Sequence, residues 1–63
     1  MKKFIQFTVI GGWSTRTIRF VNINHIIQIE KCSENANRCI LHLIDNKVLQ
    51  VEIAFDNLLS LLN

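Results

Sequence analysis

The chain has 63 residues, of which 49% are hydrophobic, and a formal net charge of +2 at pH 7. One domain over residues 1–63 is the most that this length supports, and so small a core cannot bury that much apolar surface. We therefore expect a homo-oligomer or a protein partner. We expect no membrane span, because no apolar run approaches the roughly 18 residues that a span needs.

The first predicted strand covers residues 4–10, FIQFTVI, which are rich in phenylalanine and β-branched residues. Lys2 and Lys3 before this apolar segment give it a superficial likeness to a signal peptide. Gln6 and Thr8 interrupt the segment, however, and no small-residue cleavage site follows it. We therefore expect a chain that is complete as given and located in the cytoplasm.

A turn at residues 11–14, GGWS, separates the first strand from a second strand at residues 15–22. Glycine readily adopts the positive φ that hairpin bends use, so we expect the two glycines to form the bend. In the second strand, Ile18 and Phe20 share one face and Arg19 lies on the other, because successive side chains of a strand alternate.

The middle of the chain contains a turn, a strand and a polar loop. Residues 22–25, NINH, include two asparagines that can bond their own backbone and cap a single helical turn. A third strand follows at residues 26–32, with Ile27 and Ile29 on one face. Residues 33–38, SENANR, are polar apart from one alanine and predict a loop.

The last third of the chain predicts two strands and a helix. Residues 39–45 and 48–54 form the strands, which a tight turn at residues 45–47 connects. Apolar residues then recur at helical spacing over 55–62, and so short a helix is stable only when it packs on the sheet. The predicted fold is mainly β, with about five short antiparallel strands in a curled sheet or small open barrel and this C-terminal helix packed on it.

The first and fourth predicted strands carry apolar residues on both faces. In each strand one set of alternate residues forms the predicted core, and the other set also contains two apolar residues. A strand that is apolar on both faces is either central in its sheet or covered by another subunit. The second set and the turn tryptophan therefore make up the candidate interface, which consists of Phe4, Ile10, Trp13, Ile40, His42 and Ile44.

Three stretches, FIQFT, VNINHIIQIE and LHLIDNKVLQVEIAFDNLLSLL, resemble the small FlbD-type family of flagellar and swarming motility proteins. The shared pattern is an opening strand, an Asn-containing turn before Ile-x-x-Ile-Glu, a hairpin, and a Val-x-Glu strand with a terminal helix. The resemblance implies this fold and no catalytic residues. The chain departs from the pattern in its longer turn at residues 11–14, in having no hairpin glycine at residues 45–47, and at Ala54, where a serine would cap the helix.

The cysteines and histidines form no recognisable catalytic or metal-binding motif. Cys32 and Cys39 flank the polar loop, where a disulfide is geometrically open to them, although cytosolic thiols stay reduced. Cys39 and His42 are three apart on a strand and so face opposite sides. No CxxC or HxxxH spacing occurs, and 63 residues leave little room for a pocket. We predict no enzyme activity, no metal, no cofactor and no small-molecule substrate.

Nucleic-acid binding is the alternative function. Residues 1–29 contain four basic residues and no acid, whereas residues 30–63 contain three basic and five acidic residues. The segment VNINHIIQIEK, the following hairpin and FDNLLSLL also resemble the closing strands and helix of a LytTR-type DNA-binding domain. Base stacking on an aromatic ring and neutralisation of phosphates would be the mechanism, and its candidate residues are Lys2, Lys3, Trp13, Arg16 and Arg19.

The sequence thus predicts a non-enzymatic, self-associating small β protein that acts as an accessory protein-interaction module. A small nucleic-acid-binding regulator is the alternative. Trp13 is central to both, because an exposed aromatic ring in a turn can contact a second subunit, another protein or a base.

Overall fold

The computed structural model describes residues 3–63, which form one antiparallel sheet and a C-terminal helix. The sheet has the strand order β2-β1-β5-β4-β3 and is not closed into a barrel, which confirms the predicted fold class. Two 3₁₀ turns, Gly12–Ser14 and Ile23–His25, follow β1 and β2. The elements in chain order are β1 Phe4–Ile10, β2 Arg16–Asn22, β3 Ile26–Lys31, β4 Cys39–Leu43, β5 Val48–Val51 and α1 Phe55–Leu62.

The core lies between α1 and one face of the sheet, which we call the inner face. Side chains alternate along each strand, so every strand contributes to this face and to the opposite, outer face. Leu58 of α1 is fully buried against the inner face. The buried residues of the core cluster are Ile5, Phe7, Val9, Val21, Cys39, Leu41, Val51 and Leu58.

The first and last strands are neighbours at the middle of the sheet. Val9 pairs with Val51 and Ile10 pairs with Gln50, and the Glu52 N–H donates to the Thr8 carbonyl at 2.9 Å. This pairing places β2 at one edge of the sheet and β3 at the other.

A β-bulge in β3 makes one sequence prediction wrong. Ile26 pairs with Leu43 and Gln28 pairs with His42, so Ile27 is an extra residue without a partner in β4. The bulge removes Ile27 from the face that it was predicted to share with Ile29. Ile26 and Ile29 pack against the core, whereas Ile27 is 66% exposed.

Two turns form as the sequence predicts. The side-chain oxygen of Asn22 accepts a hydrogen bond from the Asn24 N–H at 2.9 Å, which caps the 3₁₀ turn Ile23–His25. Asn46 has a φ of 65° between β4 and β5. Asparagine therefore takes the left-handed position that a hairpin glycine usually fills.

The hairpin between β1 and β2 corrects the role predicted for its two glycines. The described residues with positive φ in this turn are Trp13 and Ser14, and no glycine has a positive φ. A Cβ atom on Gly11 would lie 2.9 Å from Oγ1 of Thr15, whereas a Cβ atom on Gly12 would meet nothing within 4 Å. Gly11 is therefore required by a close approach, and Gly12 is not.

The helix α1 begins and ends where the apolar spacing predicts. Ala54 is its N-cap residue and supplies no side-chain hydrogen bond, while Asp56 in the first turn complements the helix dipole. The ammonium of Lys31 lies 4.9 Å from the centroid of the Phe55 ring, so β3 contacts the start of the helix. No helix within the described residues has the length and apolarity that crossing a lipid bilayer requires.

Substitution of the two glycines should have opposite effects on stability. Gly12→Ala should raise the free energy of unfolding by about 0.4–1 kcal/mol, because alanine restricts the unfolded chain and fits the open space. Gly11→Ala should lower it by about 1 kcal/mol, because the new Cβ displaces Thr15. Urea denaturation of both variants measures the difference, and a more stable Gly11→Ala variant would contradict the assignment.

A polar residue at position 54 should stabilise the protein. Ala54→Ser should raise the free energy of unfolding by about 1 kcal/mol, because Ala54 has the extended backbone of an N-cap and the hydroxyl can accept a hydrogen bond from a helix N–H. Ala36→Ser in the polar loop is the control and should leave stability unchanged. Equal gains in both variants would show that capping is not the cause.

Candidate interaction surface

The outer face of the sheet carries exposed apolar side chains. Within β1 and β2, Phe4 lies across from Asn22, Phe20 from Gln6, and Ile18 from Thr8. Val48 of β5 belongs to the same face. These four apolar residues are 57–63% exposed. Phe4, Ile18 and Phe20 have large apolar side chains of the kind that usually pack in a core.

The apolar residues at the β2 end of this face stay mostly uncovered within residues 3–63, although Leu61 of α1 lines a groove with Phe4 and Phe20. The helix α1 packs on the inner face, and an eight-residue helix is too short to cover both faces. In β2, residues 16–20 are all exposed, and Val21 is the residue that reaches the core. The exposed pair Ile18 and Phe20 therefore lies on the side of β2 that faces away from the core.

An ion pair crosses β1 on the outer face. Nη2 of Arg16 in β2 lies 2.8 Å from a carboxylate oxygen of Glu52, and Nε donates to the same carboxylate at 3.1 Å. These hydrogen bonds lower the pKa of Glu52 and raise the pKa of Arg16. Ile10, which pairs with Arg16 in the ladder, is buried on this otherwise exposed face.

A second polar pair lies at the other end of the outer face. Nε2 of His42 in β4 forms a hydrogen bond with the Glu30 carboxylate in β3. The two residues are two positions apart in the ladder and on the same face, because Glu30 pairs with Ile40 and His42 pairs with Gln28. Because of this hydrogen bond, the half-buried ring of His42 already has a partner within the chain.

Trp13 projects from the tip of the β1–β2 hairpin and is 100% exposed. Its backbone has φ 62° and ψ 24°, a left-handed conformation that is uncommon for a bulky residue. The Gly11 N–H donates to the Thr15 carbonyl at 2.8 Å, and Oγ1 of Thr15 donates to the Gly12 carbonyl at 3.0 Å. The turn therefore holds the indole in solvent, at a backbone cost of order 1–3 kcal/mol.

The structure distributes the six predicted interface residues over three environments. Phe4, Trp13 and Ile44 are strongly exposed. Ile40 and His42 are half-buried, and Ile10 is buried within the chain itself.

Ile18, Phe20 and Val48 join the exposed apolar set, although the sequence analysis did not select them as interface residues. The alternation in β2 shows that Ile18 and Phe20 share a face, but it does not show which face packs on the core. Val21 faces the core instead, since it pairs with Ile5. The strand order is what identifies β2 as an edge strand. Its apolar residues Ile18 and Phe20 therefore stay uncovered.

The basic residues proposed for nucleic acid do not form one surface in the described part of the chain. Lys2 lies outside the described residues. Arg16 is engaged by Glu52, and Arg19 projects from the opposite face of β2. Lys3 and Trp13 lie near opposite ends of the β1–β2 hairpin, about 25 Å apart by strand geometry.

Both cysteines are free thiols. Cys39 is fully buried and its Sγ donates a hydrogen bond to the Ile53 carbonyl at 3.2 Å. Burial raises the pKa of this thiol, which lowers its reactivity as a nucleophile. Cys32 is half-buried and its N–H bonds the Arg38 carbonyl, so it lies beyond the last β3–β4 pair. Residues 3–63 contain no cluster of three or more His, Cys, Asp or Glu side chains that could hold a metal ion.

No protein-family model, no curated protein and no solved structure matches this chain.

The Arg16–Glu52 pair should make stability depend on pH in acid. Because the pKa of folded Glu52 lies below its ordinary value of 4.5, ionised Glu52 stabilises the folded state above that pH. This contribution is lost as the pH falls through the lower, folded pKa. The wild-type protein should therefore unfold at higher urea concentration than Glu52→Gln at pH 7, and the gap should close below about pH 4.

Glu34→Gln is the control for this experiment, because Glu34 is an exposed residue of the polar loop. Its urea midpoint should follow that of the wild type at every pH. A gap between wild type and Glu52→Gln that widens as the pH falls would contradict the assigned ion pair.

Proposed function

We propose that this protein is a non-enzymatic interaction module that associates with copies of itself through the apolar residues exposed at the β2 end of its sheet. The observation that carries the proposal is the set of exposed apolar side chains on the face that lies opposite α1. Exposed apolar surface contributes about 25 cal/mol for each Å² that association removes from water. Within residues 3–63, no second helix or sheet is present to cover this face.

The charged groups near this face favour association as well. Arg16 and Glu52 already form a bidentate pair, and His42 already bonds Glu30. A surface whose charges have partners loses less free energy when water leaves than one with unpaired charges. The apolar residues therefore lie beside polar groups that need no partner from the second subunit.

Trp13 supports the same function. Tryptophan is enriched among the residues that dominate binding energy at protein interfaces. Here the backbone of Trp13 has an uncommon left-handed conformation, and the indole is fully exposed, so it buries no apolar area within the chain. A contact outside the chain would recover that area.

Nucleic-acid binding is the competing proposal, and the exposed indole is the feature that favours it. A single-strand binder needs cations beside its aromatic ring. Arg16 carries its own carboxylate partner, and Arg19 projects from the other face of β2. This arrangement favours a protein surface over a phosphate-binding track.

Two further predictions from the sequence, the family resemblance and the cytoplasmic location, agree with the proposed module. The resemblance to the FlbD-type family implies no catalytic residues, and a cytoplasmic location suits two free thiols. Membership of that family and location in the cytoplasm stay predictions.

Association and the role of Trp13 can be measured together. Sedimentation equilibrium at micromolar concentration should give a mass at least twice the chain mass of 7.3 kDa. Trp13→Ala and Trp13→Gly should both shift the protein towards the monomer. In dilute solution, Trp13→Gly should unfold no more easily than the wild type and gain up to about 1 kcal/mol, because glycine relieves the positive φ.

A clean monomer for the wild-type protein would overturn the proposed function. Titration of Trp13 fluorescence with single- and double-stranded oligonucleotides at low salt tests the competing proposal. A quench that disappears as salt is added would favour nucleic acid, because phosphate contacts release counterions. No quench, together with a blue shift as protein concentration rises, would favour self-association.

A further inference from the structure

The two edges of the sheet differ in their capacity to accept another strand. The edge strand β3 is interrupted by the bulge at Ile27. The edge strand β2 pairs with β1 without any shift of register from Arg16 to Asn22, and it contains no proline or glycine. A long regular edge is a template for pairing with another strand, whereas a bulged edge is not.

The backbone groups that point out of this edge can be identified. The Ile23 N–H donates to the Lys3 carbonyl at 2.7 Å, and the Gly11 N–H donates to the Thr15 carbonyl at 2.8 Å. Hydrogen-bonded and non-hydrogen-bonded pairs alternate along an antiparallel ladder. The N–H and carbonyl groups of Arg16, Ile18 and Phe20 therefore point away from β1, and no strand of residues 3–63 lies on that side.

We propose that two copies of this chain pair β2 against β2 in antiparallel orientation, with the two-fold axis at Ile18. This inference rests on the proposed self-association and specifies its geometry. Ile18 then faces Ile18 of the second copy, and Arg16 faces Phe20 of the second copy. The outward N–H and carbonyl groups of residues 16, 18 and 20 all gain partners, and two sheets become one.

Charge selects this register over its neighbour. An axis at Arg19 would place Arg19 directly opposite the same residue of the second copy, and like charges in that position destabilise a strand pair. With the axis at Ile18, Arg19 faces Thr17 instead. Arg16 faces an aromatic ring while Glu52 continues to neutralise it.

Accessibility excludes the register one residue further along β2, with the axis at Phe20. An axis at Phe20 would pair Ile18 with Asn22 and would carry the ladder past the end of β2. Val21 is buried and Asn22 is half-buried, so that end of the strand is less open. The axis at Ile18 uses residues 16–20, all of which are exposed.

The same register gives the exposed apolar pair a partner. Ile18 and Phe20 are each 63% exposed and lie on the outer face. In the joined sheet Ile18 faces Ile18 of the second copy directly, and Phe20 lies diagonally across from that same residue. Apolar cross-strand pairs of this kind stabilise antiparallel sheets.

Trp13 also gains a place in this dimer. The register sets the hairpin tip of one copy alongside Ile23 of the other, at the end of its β2. A groove of about 280 Å³ lies there, and its walls include the four consecutive residues 19–22 together with Leu43 and Leu49. Because consecutive strand residues point to alternate faces, a groove lined by all four of them borders the edge of β2, which the hairpin tip of the second copy would approach.

A second copy fits this edge better than a strand of another protein, because antiparallel pairing is symmetric. Each group that residues 16–20 present is matched by the same residues in reverse order. A two-fold dimer also consumes the β2 edge of both copies and closes the assembly. Pairing of β2 with the β3 of a second copy would leave free edges and would produce open polymers.

Cysteine cross-linking tests the position of the axis. In a Cys32→Ser background, Ile18→Cys should oxidise to a covalent dimer, because a hydrogen-bonded pair has a Cα separation of about 5.5 Å. Phe20→Cys is the matched control and should not cross-link, because its copies lie about 14 Å apart along the strand in this register. Cross-linking at Phe20→Cys or Arg19→Cys, but not at Ile18→Cys, would overturn the proposed axis.

Affinity provides an independent readout by sedimentation. Ile18→Lys should raise the dimer Kd at least tenfold, whereas Ile27→Lys, on the equally exposed bulged edge, should leave it unchanged. Thr17→Glu should lower the Kd roughly two- to thirty-fold, because the dimer gains two pairs with Arg19. A misfolded variant would not bind more tightly. A lower Kd for Thr17→Glu therefore cannot be an artefact of misfolding.

The outcomes separate this inference from the proposed function. A wild-type monomer overturns both. A dimer that tolerates Ile18→Lys, does not cross-link at Ile18→Cys, or dissociates with Ile27→Lys overturns the β2 pairing and leaves self-association standing. Polymers of increasing mass overturn the closed two-fold dimer in favour of β2–β3 pairing.

Discussion

A five-stranded sheet has two faces, and the eight-residue helix α1 can cover one of them. The fully buried residues Leu41, Val51 and Leu58 lie on the covered side. On the other side the chain uses different means: Ile10 is buried where the Arg16–Glu52 pair crosses β1, and the apolar residues of β2 stay in solvent. Most of the surface chemistry of this protein follows from that unequal covering of the sheet.

The two polar pairs of the outer face differ in the strands that they connect. The Arg16–Glu52 pair connects β2 to the segment after β5, and so it braces the strand that carries the exposed Ile18 and Phe20. The Glu30–His42 pair connects β3 to β4 at the far end of the sheet. Such exposed pairs contribute little to stability in isolation.

Local sequence predicts the elements of this fold well and their arrangement poorly. The apolar spacing predicts α1 to its last residue, and the asparagines predict the turn after β2 and the left-handed Asn46, because each depends on neighbours within a few positions. The bulge at Ile27 and the edge position of β2 depend on pairing between distant strands. The candidate surface was therefore predicted in part: Phe4 and Ile44 follow from alternation and Trp13 from its place in the turn. Ile18, Phe20 and Val48 require the strand order.

The pairing of β1 with β5 has a consequence for synthesis on the ribosome. Val9 and Ile10 must wait for Gln50 and Val51 before the middle of the sheet can form. A growing chain can build the β1–β2 hairpin early, but the two strand pairs cannot join until the last strand emerges. During that interval the inner residues Phe7 and Val9 are as exposed as the outer ones. The order of strands therefore delays completion of the sheet until β5 has been synthesised.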